Sequence, residues 1–245
     1  MRDNILELKD IFFAYGDGPA VIDGLDFSLA SNQKIGIIGP NGSGKTTLFH
    51  IIMGLLPGFS GQITAFGRPI VKGDDFTYIR RHVGFLFQNS DDQLFCPTVL
   101  DDVAFGPLNL GKTGEETLNI VKDTLKRLGI SGFEKKVTHK LSHGEKKIVA
   151  LASVLAMDPR VLILDEPAAG LDHDTKDRLK SILEDIDLSC IITSHDMDFL
   201  HNATERVYAI NQGRIDMSRE VVLHTHVHMH QGGAYEHTHN SLIQD

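Results

Sequence analysis

The stretch GPNGSGKTT, Gly39 to Thr47, restricts the folds open to this chain more than any other feature. It follows KIGIIG, a short apolar run from Lys34 that reads as a strand, and leads into KTTLFHIIMGLL, where Leu48, Ile51, Ile52 and Leu55 recur at helical spacing. Strand, glycine-rich loop and helix in that order form a phosphate cradle, because loop amides and the helix N-terminus point at one anion together. Gly39, Gly42 and Gly44 let the backbone close around oxygens, Lys45 supplies a point charge to β- and γ-phosphates, and Thr46 offers a hydroxyl to Mg2+. Pro40, Asn41, Ser43 and Thr47 complete the candidate nucleotide-binding loop. Kinases, GTPases, helicases and transport ATPases all use such a loop, so the reaction is still open at this point.

A second apolar strand, VLILDEP from Val161 to Pro167, ends in two carboxylates. C-terminal strand ends of a parallel sheet face the ligand crevice, so Asp165 is expected beside the phosphate loop, holding Mg2+, with Glu166 one step further out as the base that polarises an attacking water. An acidic strand end that merely opens a turn is the plainer alternative. Lys45 and Asp165 stand about 120 residues apart, room for an inserted subdomain of ~60–80 residues.

At 245 residues the chain is long enough for one large α/β domain. A formal net charge of -9 argues against nucleic acid as a partner, since phosphate-backbone contacts need a basic excess. No apolar run reaches the ~18–20 residues that span a bilayer, and MRDNILELKD lacks the layout of a secretory signal, so the expected place is the cytosol or the periphery of a membrane complex. Cys96 and Cys190 are too few for a disulfide framework and read as free thiols, Cys190 buried.

The long insertion carries LSHGEKK, Leu141 to Lys147, ahead of the apolar helix IVALASVLAM. This resembles the Leu-Ser-Gly-Gly-Gln signature of ATP-binding-cassette (ABC) ATPases, and other motifs of that family stand in order around it. Tyr15 in FFAYGDG matches the aromatic that stacks on adenine, Gln88 in FLFQNS the Q-loop glutamine, Asp172 in AAGLD the D-loop, and His195 in IITSHDMD the switch histidine. Alone, each residue has an ordinary reading as a strand-end aromatic, a solvated amide or a helix cap; their order carries the resemblance. His50 and His82 have no such company and are left to packing or the surface.

The resemblance implies an ATPase that binds ATP with Mg2+ through Thr46, Gln88 and Asp165, with Glu166, His195, Gln88 and Lys45 catalytic. It also implies a head-to-tail dimer, homo- or heteromeric, in which Leu141, Ser142, His143, Gly144 and Glu145 of a second subunit close over the γ-phosphate. His143 and Glu145 depart from the family's Gly and Gln, while Ser142 and Gly144 are kept. Ala168 stands where many relatives carry Thr.

FQNSDDQLFCPTVLDDVAFGPLNLG, Phe87 to Gly111, resembles the region after the Q-loop in ATPases of energy-coupling-factor (ECF) transporters. There it faces a membrane subunit, so the implied partners are an integral membrane coupling subunit and a substrate-binding membrane subunit, with the chain peripheral on the cytoplasmic face of the cell membrane. Leu94, Phe95, Val99, Val103 and Phe105 among Asp91, Asp92, Asp101 and Asp102 suit an amphipathic basic helix; an ordinary subdomain core is the alternative.

The C-terminal LHTHVHMHQGGAYEHTHN holds His224, His226, His228, His230, His237 and His239, six of the 13 histidines. Strict alternation puts the first four imidazoles on one face of an extended chain, ~7 Å apart, and imidazole suits Ni2+, Co2+ or Zn2+ rather than Mg2+. With the ECF resemblance this favours the cobalt/nickel branch over the vitamin branch; a polar appendage without a ligand, a cloning remnant, and a soluble ABC ATPase with a metal-sensing tail are the alternatives. The expected organisation is an ABC ATPase domain over residues 4–220 and a mobile His-rich tail over 221–245. Within the domain, an N-terminal antiparallel β portion runs from about Ile5 to Ile70 and a helical subdomain from about Asp91 to Met157, around a parallel-sheet P-loop core.

Overall fold

A computed structural model describes residues 3–221 in full, together with the backbone of residues 225–230 and 233–238. Two sheets organise the N-terminal part. Strands β1 (Asn4–Ala14), β2 (Ala20–Ala30), β4 (Ser60–Ala65) and β5 (Arg68–Ile70) form an antiparallel sheet in the order β2-β1-β4-β5. Strand β3 (Lys34–Ile38), although it lies inside the same stretch of sequence, belongs to the other sheet. The antiparallel portion is therefore interrupted by the strand, loop and helix α1 (Lys45–Ile52) of the phosphate cradle.

The second sheet adds β6 (Val83–Leu86), β7 (Val161–Leu164), β8 (Ser189–Thr193), β9 (Arg206–Asn211) and β10 (Arg214–Ile215) in the order β10-β9-β3-β8-β7-β6. Every pairing in it is parallel except β9 with β10. Its strands are apolar at successive positions because both faces are covered. Val161, Ile163 and Ile191 point into a core shared with α1 and the antiparallel sheet, whereas Leu162, Leu164 and Ile192 point into a second core beneath the helices. Cys190 lies fully buried in that second core, and both cysteines are free.

The helical layer consists of α3 (Val99–Asn109), α4 (Gly114–Arg127) and α5 (His143–Leu155), followed by α6 (His173–Asp185) and α7 (Met197–Ala203); α2 (Gly73–His82) precedes β6. Thr98, Thr113, Ser142, Asp172 and Asp196 each accept a bond from an amide in the first turn, which fixes where α3 to α7 start. Two expectations change. Helix α1 ends at Ile52, so Leu55 is not on its apolar face and stands 47 % exposed. Val99 and Val103 are fully buried in the chain's own core, leaving Phe95, Phe105 and Leu108 as the exposed apolar residues of the Phe87–Gly111 segment.

The tail, expected to lack fixed structure, pairs over twelve residues: β11 (Thr225–His230) runs antiparallel to β12 (Gly233–Thr238). His226 is the cross-strand partner of His237. Directly opposed residues share a face, as do positions two apart, so His226, His228, His230 and His237 occupy one face of the hairpin. His224 and His239 lie outside the described residues.

Candidate nucleotide site

Four strands of the parallel sheet deliver the site from their C-terminal ends, where a crevice opens in folds of this kind. β3 gives way to the phosphate loop, β6 to Gln88, β7 to Asp165 and Glu166, and β8 to His195. A cavity of about 230 Å3 brings them together, lined by Asn41 to Thr46, Gln88, Asp165, Glu166 and His195. The loop glycines divide their tasks. Gly42 and Gly44 adopt left-handed φ of 78° and 103°, whereas a Cβ at Gly39 would stand 2.6 Å from the Ile210 carbonyl oxygen. Gly39 is therefore required by the close passage of β9.

Lys45 Nζ donates to the carbonyls of Gly39 (2.8 Å) and Pro40 (3.1 Å), which holds its charge over the loop. Thr46 Oγ1 donates to Asp165 Oδ2 at 2.7 Å, and Thr193 Oγ1 donates to Asp165 Oδ1 at 2.7 Å. Thr193 was not singled out in the sequence, yet its hydroxyl also accepts from the Glu166 amide at 3.0 Å. Its position at the last residue of β8, two before His195, is the signal that strand-end reasoning offers. Asp165, Thr46 and Gln88 present carboxylate, hydroxyl and amide oxygens, a hard donor set that fits Mg2+. Among the residues whose side chains are described, no cluster of three His, Cys, Asp or Glu forms another metal group.

Glu166 takes a φ of 47°, unusual for a residue with a side chain and worth on the order of 1–3 kcal/mol of strain. That conformation turns its carboxylate toward His195: Oε2 accepts from the His195 amide at 3.1 Å, and Oε1 lies 3.4 Å from His195 Nε2. Oε1 is buried with no hydrogen-bond partner in the protein. A buried carboxylate oxygen without an aligned donor is costly. Tyr15 stands half exposed at the rim, its hydroxyl 3.2 Å from Thr47 Oγ1.

The signature residues do not line this cavity. Ser142 caps α5, accepting from the Glu145 amide at 3.2 Å, and Glu145 accepts in return from the Ser142 amide at 2.9 Å and from Lys136 Nζ at 2.8 Å. The Lys136 ammonium, with the Ser142 amide, holds the Glu145 carboxyl below its ordinary range, so the departure from Gln makes a charged capping box. His143 Nε2 lies 3.3 Å from the Ala169 carbonyl oxygen, and a Cβ on Gly144 would come within 2.9 Å of Thr175 Oγ1. The signature thus packs against its own chain's D-loop, where Asp172 caps α6 through Thr175. The Thr175 bonds keep the Asp172 carboxyl low.

His50 and His82 are structural. His50 packs edge-on against Phe85, and burial lowers its pKa. His82 Nδ1 lies 2.8 Å from the Tyr78 carbonyl oxygen with its ring against Tyr78 and Phe66. The site owes more to Thr193, which fixes Asp165 and the Glu166 backbone at once. Thr193→Val keeps the shape and removes the hydroxyl; ATP turnover at fixed Mg2+ is expected to fall ~10–100-fold and to recover in part as Mg2+ is raised. Titration of activity against Mg2+ checks this, and a wild-type Mg2+ profile would show that Thr193 does not orient Asp165.

The geometry agrees with what the chain is similar to. Residues 22–169 match the ABC transporter family. A Nitratidesulfovibrio vulgaris protein, named provisionally as an ABC transporter ATP-binding protein, is 49 % identical over 97 % of this chain and 87 % of its own length. The energy-coupling factor transporter ATP-binding protein EcfA of Methanocaldococcus jannaschii is 44 % identical over 86 % of this chain and 77 % of its own. Among solved structures, cbiO1 of Clostridium perfringens, described as part of the ABC transporter complex cbiONQ, superposes with a TM-score of 0.80 at 36 % identity over 88 % of both chains. The ATP-binding cassette MJ0796, in a dimeric post-hydrolysis state bound to ADP and Pi, gives 0.78 at 25 % identity over 88 % of this chain and 97 % of its own. The phosphate loop, the Asp165–Glu166 strand end and this breadth of similarity lead to one conclusion: the chain is an ATPase of the ABC transporter family.

Proposed function

We propose that this chain is the ATP-hydrolysing subunit of an ECF-type importer of cobalt or nickel ions, peripheral on the cytoplasmic face of the cell membrane. The observation that carries the hydrolytic role is the unsatisfied Glu166 Oε1 beside His195 and the phosphate loop. Thr46, Asp165 and Gln88 would hold Mg2+, which would supply charge neutralisation when bound. Lys45 and the loop amides hold the phosphates, Glu166 accepts a hydrogen bond from the attacking water, and His195 keeps Glu166 and the γ-phosphate in register. Ser142 and the start of α5 do not line their own chain's cavity, which suits a head-to-tail dimer in which they complete the partner's site.

Coupling to a membrane subunit is supported by a cavity of about 460 Å3 lined by Asp91, Leu94, Phe95 and Cys96 with Lys146. Phe95, 66 % exposed, and Phe105, 48 % exposed, meet edge to face at 4.9 Å beside it. Exposed aromatics next to carboxylates suit a basic amphipathic helix of the coupling subunit. Among the described residues no helix is long and apolar enough to cross a membrane.

The cobalt/nickel assignment rests on the tail, whose register gathers His226, His228, His230 and His237 on one hairpin face, and on the likeness to cbiO1. A vitamin importer is the alternative when that face takes no metal. Two measurements test the two levels separately. Glu166→Gln is expected to retain ATP binding, to slow turnover ~10²–10³-fold and to accumulate an ATP-bound dimer; wild-type turnover would remove Glu166 from the reaction.

For the tail, removal of residues 224–245 is expected to leave basal ATPase unchanged and to abolish calorimetric binding of Ni2+, Co2+ or Zn2+. Affinity of the intact chain should drop below pH ~6.5, because imidazole coordinates only when neutral. Equal metal affinity of the truncated protein would return the assignment to the vitamin branch.

A further inference from the structure

Lys147 is the one lysine among the described residues with no exposed surface at all. It sits on α5, five residues after the Ser142 cap, and its Nζ donates to the carbonyl oxygens of Phe87 (3.2 Å) and Gln88 (2.7 Å). No carboxylate of the described residues forms a salt bridge with it, and the amine is pushed down to about 8 by burial against a smaller opposing pull from Asp165. A buried ammonium satisfied by two carbonyls is an expensive arrangement that an apolar side chain of the same length would avoid.

Two neighbours tie the same pair of segments. Gln93 Oε1 accepts from the Phe87 amide at 3.2 Å while its Nε2 donates to the Ala150 carbonyl of α5 at 3.0 Å. Lys146 Nζ pairs with Asp91 Oδ1 at 2.5 Å. Residues 87–93 and the first two turns of α5 are therefore cross-linked three times. Of the three, only Lys147 acts on the backbone of Gln88 itself, a residue that lines the cavity with Asp165 and Glu166.

We infer that Lys147 is a positioning residue for hydrolysis: it fixes the Gln88 backbone to the helix that presents Ser142, so that Gln88 is aimed at the nucleotide only when α5 is in place. The inference rests on the proposed role of Gln88 in holding Mg2+ at the cavity. Because Ser142 caps the start of α5, docking of that cap on a neighbouring subunit is transmitted rigidly to Gln88 of the same chain. Each protomer thereby reports its own engagement to its own site.

The test uses the full-length protein and steady-state ATPase kinetics. Lys147→Met preserves length and removes both donors. Its kcat is expected to fall ~10–100-fold with KM for ATP changed less than ~3-fold, since no phosphate contact is touched. In a Gln88→Ala background the same substitution should cost less than about 2-fold more, because its effect passes through Gln88. Lys147→Gln, whose amide keeps donors toward the two carbonyls, should lose less than Lys147→Met, and it carries the comparison if the Met protein does not fold. An unchanged kcat in both Lys147 variants, or losses that multiply with that of Gln88→Ala, overturns the inference while leaving Gln88 in its role. Wild-type kcat in Gln88→Ala alone overturns the Gln88 reading and the inference with it.

Discussion

The carboxylate of Asp165 is the fixed point of this molecule. It is 2 % exposed and accepts from Thr46 at the start of α1 and from Thr193 at the end of β8. Two short charge-assisted bonds therefore join three elements that meet nowhere else in sequence, separated by as many as 147 positions between Thr46 and Thr193. A buried carboxylate left without either donor would carry a large desolvation cost, so the strand ends and the phosphate loop are held in one arrangement. Glu166, with its φ of 47°, is tied to the same place, its backbone amide donating a hydrogen bond to the Thr193 hydroxyl. What remains beside the cavity is a buried carboxylate oxygen of Glu166 without a hydrogen-bond partner, 3.4 Å from His195 Nε2.

The second organising feature is the direction in which α5 points. Its capping box uses the Ser142 hydroxyl as an acceptor for the Glu145 amide, while the Glu145 carboxylate accepts from the Ser142 amide. Gly144 is needed because Thr175 lies against it, and His143 leans on the D-loop carbonyl of Ala169. Signature and D-loop thus form one surface. Asp172 caps α6 beside it, its carboxyl pKa lowered by the Thr175 bonds.

Much of this was legible in the sequence because its chemistry demands particular residues at particular spacings. Glycines at 42 and 44 answer to positive φ, and the Asp165–Glu166 pair after an apolar strand answers to the crevice rule. What was not legible depends on which neighbour a side chain meets. Val99 and Val103 satisfy the pattern of a docking surface and of a core equally well, and only the packing of α3 against α5 assigns them to the core. Lys147 reads as a surface lysine next to Lys146, since periodicity cannot say that a helix position faces two carbonyls 60 residues away. The hairpin of the tail was missed because alternating histidines carry no turn chemistry beyond Gly232–Gly233, while its cross-strand register depends on pairing at a distance.

The central claim is that one protomer holds half of a working site. The direct measurement is ATPase activity of a mixture of Ser142→Arg protein with Lys45→Ala protein, each nearly inactive alone, after subunit exchange has been demonstrated by an independent label. If Ser142 acts on the neighbour's nucleotide, each mixed dimer contains one undamaged composite site, and the mixture turns over ATP clearly faster than either variant. A mixture no faster than its components, with exchange established, contradicts the composite site.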